Sequence, residues 1–309
     1  MPGYFTNLPE LYKRIVFFFT LSLVFALYGE AAKAACNNDT LINTSTQRQA
    51  IAFVDSIETL APSGYWPHVK SDLFLSNLKL NIHQPLSFYP GRGTNFCAYG
   101  ALSYLVIKDD PLGYAKFMVE LYSNGKAVYN KNTFTPSASI MAAAGTLKFK
   151  GVLDIRHAEQ IWFLTLADHF KGYLNVFNLH YDLGDEDRFW AATNLAKFNR
   201  MTRKMCNYKT ESAGSDLLHP WLKNTFQYLN DRQGKGITVL YINNRIIHKK
   251  NHDKIKLSIP THFVVLENIT LKDDLVTLTY WDYGGKTLLQ IKPSVLKKII
   301  YGINFCTKN

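Results

Sequence analysis

The sequence has little cysteine, with four in 309 residues, so a disulfide-built scaffold is excluded and an apolar core must hold the fold. Low-complexity tracts and internal repeats are absent, which excludes a solenoid or a largely disordered chain. No G-x-S-x-G is present, so there is no serine nucleophile elbow. His-Glu-x-x-His is also missing: Arg156-His157-Ala158-Glu159 has no second His, and no metal or cofactor is expected. Gly284-Gly285-Lys286-Thr287 ends like a phosphate-binding loop, but Tyr280 stands at the required first glycine and a strand pattern follows. Acidic residues are the scarcer charge, 24 against 35 Lys and Arg, for a net +11. The basic residues are scattered, with dense clusters only at Arg200/Arg203/Lys204 and Lys249/Lys250. No helix-turn-helix, zinc-finger or RNP pattern accompanies them, so they read as solvated surface and no nucleic-acid partner is expected.

What is present begins with a targeting pattern. Lys13 and Arg14 precede the apolar run 15–28, and Ala32-Lys33-Ala34 offers small residues at cleavage spacing. That order is the order of a secretory signal peptide over residues 1–34, which implies export to a periplasmic or extracellular space. The run is too short to span a bilayer, and no later segment reads as a membrane span. Lys33 stands where a lipoprotein site before Cys36 wants an aliphatic residue, so lipid anchoring is the weaker reading. In an oxidising space one bridge among Cys36, Cys206 and Cys306 is open, and the sequence does not choose the pair.

The mature chain changes period along its length. Residues 35–90 read as an N-terminal extension: one helix around Ala50 to Leu60, then loop-like text from Tyr65 to Pro90 fit for a lid or pro-segment. Helical spacing predicts helices from Cys97 to about Lys108, and over 112–123, 156–171, 187–205 and 217–231. Trp162, Trp190 and Trp221 read as core. After Gly234-Lys235-Gly236 the period becomes two, with strands at 237–242, 261–269 and 275–282 and a short one at 288–291. A helix over 293–301 and a last strand at 302–305 follow. Helices first and antiparallel strands after predict an α+β fold.

One stretch carries chemistry: Gly91-Arg92-Gly93-Thr94-Asn95-Phe96-Cys97-Ala98-Tyr99-Gly100-Ala101. A glycine-rich turn delivers Cys97 to the first turn of an apolar helix, where the helix dipole favours a thiolate. The bland alternative is a small buried hydrophobe. A nucleophilic thiol needs a base, and the base needs an orienting group. His262 opens a strong strand, and the next strand ends at Asp282. A turn at about 271–274 predicts a hairpin in which Val264 faces Tyr280, Leu266 faces Leu278 and His262 faces Asp282.

This order of Cys, His at a strand start and Asp at a following strand end resembles the papain-like (clan CA) cysteine peptidases. The closer likeness is to C39-like and secreted bacterial papain-fold proteins. It rests on Asn95 to Ala101, Thr261-His262-Phe263-Val264-Val265-Leu266 and Trp281-Asp282-Tyr283-Gly284-Gly285. The resemblance implies a papain-like catalytic domain over 91–309, with Cys97 as nucleophile, His262 as general base and acid, and Asp282 as orienter. It implies hydrolysis of amide bonds in a peptide or protein substrate, most simply as a peptidase. The same residues serve a deamidase or acyltransferase, or a binding protein on a degenerate scaffold. The chain departs from the family upstream of the cysteine, where a Gln is usual. Asn95 is the nearest amide, and with the Cys97 backbone N–H it is the candidate oxyanion donor.

Overall fold

The structure is a computed structural model that describes residues 45–91, 93–147, 155–244 and 259–308. The expected signal peptide, Cys36 and the Lys249–Lys250 pair lie outside the described residues. Helix α1 (Gln47–Asp55) starts in a capping box between Thr46 and Gln49 and buries Ala50 and Val54. Helix α2 (Ser71–His83) buries Phe74, Leu78 and Ile82, and a 3-10 turn at Pro85–Ser87 follows. Helix α3 (Cys97–Asp109) is buried nearly all round, as a helix with apolar residues on every face must be. Helix α4 (Pro111–Asn124) begins where Asp110 accepts from the Gly113 N–H and ends at Gly125, in the left-handed conformation at φ 65°. A small hairpin of β1 (Ala127–Tyr129) and β2 (Asn132–Phe134) leads to α5 (Ala138–Ala143), α6 (His157–His169) and α7 (Leu195–Met205).

The remaining elements are β3 (Tyr208–Gly214), α8 (Thr225–Asn230), β4 (Ile237–Ile242), β5 (His262–Lys272), β6 (Leu275–Asp282), β7 (Gly285–Ile291), α9 (Pro293–Ile299) and β8 (Ile300–Lys308). They make a six-stranded antiparallel sheet in the order β3-β8-β4-β5-β6-β7. Alternate residues of its central strands enter two cores. Val239, Tyr241, Phe263, Val265 and Trp281 join the core built on helices α1 to α7. Leu240, Ile242, Val264, Leu278 and Tyr280 join a second core with Leu229, Leu296 and Ile299 of α8 and α9. Covered on both faces, β4 carries an almost unbroken apolar run. The fold is α+β, as expected. Among the described residues no helix is long and apolar enough to cross a membrane.

Four expectations change. Residues 45–90 are not merely loop-like text: Trp66, Phe74, Leu78, Ile82 and Phe88 are fully buried in the main core, so a boundary at residue 90 cuts through it. The helix expected over 187–205 starts only at Leu195, because Asn194 accepts from the Lys197 N–H as its cap. The helix expected over 217–231 shrinks to α8, and Trp221 is fully exposed rather than core. Strand β3 answers to no apolar alternation. It is a polar edge strand that pairs with β8.

The hairpin register also differs. A two-residue turn at Asp273 and Asp274, φ 49° and 57°, pairs Lys272 with Leu275, and a bulge at Glu267 shifts the ladder once more. Leu266 therefore faces Tyr280 and not Leu278, and the ladder ends with Val265 opposite Trp281. The shift from the expected pairing is an even number of residues, which preserves side-chain facing.

Candidate active site

The loop before Cys97 is built to deliver it. Gly91 has φ 84°, and a Cβ there would meet the Ile155 side chain at 2.8 Å, so only glycine fits. The Thr94 hydroxyl lies within hydrogen-bond distance of the Pro90 and Gly91 carbonyls, at 2.8 and 3.0 Å, and accepts from the Phe96 N–H. Phe96 is buried against Phe163 and Tyr99, which fixes where α3 begins. Cys97 is the first residue of α3, partly exposed, with its sulfur at the helix end whose N–H groups lack intrahelical acceptors.

His262 reaches this sulfur from β5. Its Nε2 lies 3.1 Å from Asp282 Oδ2, across the open end of the β5–β6 ladder. The pair thus meets diagonally rather than face to face. With Nε2 on the carboxylate, Nδ1 is the ring nitrogen that Asp282 does not engage. Asp282 is held in turn, since Thr287 on β7 donates to Oδ1 at 3.0 Å. Tyr283 stacks on the imidazole with ring centroids 4.7 Å apart, and its hydroxyl lies 3.4 Å from Nδ1.

The charges follow from these contacts. Burial alone would push the Cys97 thiol up, but hydrogen bonding to His262, its positive charge and the N–H groups of Phe263 and Ala98 bring it below the usual thiol value. Burial alone would lower the His262 imidazole. Its hydrogen bonds to Asp282 and Cys97, with the negative charge on each, instead raise it to about 9. The two groups favour a thiolate facing an imidazolium.

The structure brings Cys97, His262 and Asp282 together and gives Asn95 other work. The Asn95 side-chain amide donates to the Arg188 carbonyl at 2.9 Å, and its backbone N–H donates to the Glu186 carbonyl at 2.7 Å. One of its two amide hydrogens is therefore committed to the 185–190 segment. The Cys97 backbone N–H, at the head of α3, is the other candidate donor. Cys206 and Cys306 are both free and buried, and burial raises both thiols away from reactivity.

Two contributors escaped the sequence reading. Tyr283 and Gly284 have φ 44° and 76° and form a two-residue turn pairing Asp282 with Gly285. Tyr-Gly-Gly after a strand is the signal that marks it. That turn rests on residues 87–88: a Cβ on Gly284 would come within 3.0 Å of the Phe88 carbonyl oxygen. The Trp281 indole N–H donates to the Leu86 carbonyl at 2.8 Å. The segment expected to be a lid is thus the floor under Asp282. Among the described residues no three His, Cys, Asp or Glu side chains gather as metal ligands. No family model matches the chain, and no curated protein or solved structure matches it either.

Proposed function

We propose that this chain is an exported papain-fold cysteine hydrolase that acts on amide bonds, with peptidase activity as its simplest form. The observation that carries the reading is Cys97 at a helix start sharing one site with the buried His262 and its partner Asp282. In this reading the Cys97 sulfur attacks the carbonyl carbon, and the oxyanion forms against the Cys97 backbone N–H. The His262 imidazolium then gives its proton to the leaving amine, and the C–N bond breaks to leave a thioester. A water molecule loses a proton to neutral His262 as its oxygen attacks the thioester carbon; the C–S bond breaks, the acid leaves, and the Cys97 thiolate again faces the His262 imidazolium. Asp282 holds the ring orientation through its bond to Nε2.

Alkylation tests this. Iodoacetamide should modify Cys97 stoichiometrically at pH 6, and His262→Ala should lose that reactivity. An unreactive Cys97 would sink the enzyme reading. It would favour a binding protein on a degenerate scaffold, a reading to which the committed Asn95 amide lends weight.

A further inference from the structure

The segment 173–192 leans on the nucleophile loop and carries an unusual surface. Val176, Leu179, Leu183 and Phe189 are all about half exposed or more, with Leu183 at 75%, and the Phe189 ring lies 6.0 Å from that of Phe177. So many large apolar side chains presented to water within fourteen residues marks a binding surface rather than incidental exposure. The segment is nevertheless firmly framed from within. The Lys197 ammonium, 2% exposed, donates to Tyr99 Oη at 2.8 Å, Asn175 Oδ1 at 3.0 Å and the Ala192 carbonyl at 3.0 Å. Asn175 Nδ2 in turn donates to the carbonyls of Phe189, Trp190 and Ala192. Tyr99 sits two residues after Cys97, so this frame and the nucleophile share one helix.

The surface is also close to the thiol. Asn95 donates to the carbonyls of Glu186 and Arg188, and Phe189 follows directly. Two residues of chain and one hydrogen bond put Phe189 on the order of 10–15 Å from Cys97, about three or four residues of extended peptide. Its charge is opposite to that of the whole. Asp182, Asp185 and Asp187 stand against the single Arg188 with Glu186 buried beneath them, for a formal −3 over residues 173–192 in a chain of net +11. Such a surface disfavours an anionic lipid bilayer and suits a chain bearing apolar and basic side chains.

We infer that residues 176–189 form the recognition surface for an apolar, cationic peptide segment of the substrate, three or four residues from the bond that Cys97 attacks. The inference rests on the nucleophile reading above, and the test separates the two. Full-chain protein is treated with iodoacetamide, with iodoacetyl-Gly-Gly-Phe-Leu-Lys amide and with iodoacetyl-Gly-Gly-Ser-Ser-Lys amide. In each case the Cys97 sulfur forms a bond to the methylene carbon as iodide leaves, and mass spectrometry reads the rate. The Phe-Leu probe should react about ten-fold faster than the Ser-Ser probe, the gain from covering one or two apolar side chains. In the combined Val176→Ser, Leu183→Ser, Phe189→Ser variant that advantage should vanish while the iodoacetamide rate holds. These positions are exposed, so the fold should survive. Equal rates for the two peptides, or an advantage that survives the triple variant, would overturn the inference with the nucleophile intact. No reaction with iodoacetamide would overturn both. Sedimentation with phosphatidylglycerol vesicles, lost in the triple variant and unaccompanied by any probe preference, would assign the surface to lipid and overturn it too.

Discussion

An isolated thiol and an isolated imidazole are both largely neutral at pH 7, so any ion pair at Cys97 and His262 is the product of their surroundings. Asp282 is the fixed charge in that arrangement. Replacing it with Asn removes the charge that holds His262 near 9, and the imidazole should fall toward its ordinary 6.5. With less imidazolium available, the Cys97 thiol should rise. Two shifts are therefore expected in Asp282→Asn: the acid limb of Cys97 alkylation moves to higher pH, and the alkaline limb of any amide hydrolysis moves down from about 9. A one-unit shift of the acid limb makes alkylation about ten-fold slower at pH values below that limb. An unchanged alkylation profile would show that Asp282 does not tune the pair. At this scale the sequence was informative. Helix onset and strand ends singled out Cys97, His262 and Asp282, because residue type and position in an element carried the signal. The bond from the Asn95 amide to the Arg188 carbonyl was not legible, because nothing local announces a partner that far along the chain. Thr287 was invisible for the same reason, as its contact with Asp282 exists only once β6 and β7 are paired.

Between residue and molecule, turns decide what the site looks like. The β5–β6 register was misjudged because two left-handed aspartates make the tightest turn available and Glu267 bulges; neither shows in apolar alternation. The error left the pairing of His262 with Asp282 legible because side-chain facing repeats every two residues. The β6–β7 turn is more exacting. Tyr283 occupies a left-handed conformation that bulky residues rarely adopt, and Gly284 beside it faces the backbone of residues 87–88. Gly284→Ala should cost about 1–2 kcal/mol for the left-handed residue alone. It should also push the turn off residues 87–88, carrying Asp282 and Tyr283 with it. The expected readouts are a lower urea midpoint and slower alkylation of Cys97 at pH 6. Gly285→Ala is the control, since no atom lies within 4 Å of its added Cβ, and it should change neither. Equal effects from both substitutions would mean that the turn is not braced by residues 87–88. Edge elements were the least legible. Strand β3 is polar because one side of it meets water, and α8 is short because Asn224 caps it by accepting from the Gln227 N–H.

Across the whole molecule, the site depends on residues that local pattern places outside the catalytic unit. Glu159 on α6 is fully buried and accepts from the Tyr89 and Arg156 N–H groups and the Arg156 guanidinium, so it ties the 85–90 segment to the helical core. Burial outweighs these contacts and raises its carboxyl from 4.5 to about 7. Because the folded state holds this proton more tightly than the unfolded one, stability is greatest below about 4.5 and falls as pH rises toward 7. Comparing the protein with Glu159→Gln across that window should isolate a loss of about 3 kcal/mol, read from urea midpoints; parallel pH profiles would show that the carboxyl ionises normally. The same segment decides where the domain can be cut. A chain starting at residue 42 keeps every described element, and its unfolding midpoint should match that of the full chain. A chain starting at residue 91 loses Val54, Trp66, Phe74, Leu78, Ile82 and Phe88 from the core. At about 2 kcal/mol for each buried side chain the loss is roughly 12 kcal/mol, comparable to the entire stability of an ordinary domain. It also removes the Leu86 carbonyl that receives the Trp281 indole and the backbone beneath Gly284. The shorter chain should therefore show no cooperative unfolding by circular dichroism and no preferential alkylation of Cys97. If it instead unfolded cooperatively and reacted normally, residues 45–90 would be a detachable cover, and the site would have to be held by the sheet and α3 alone.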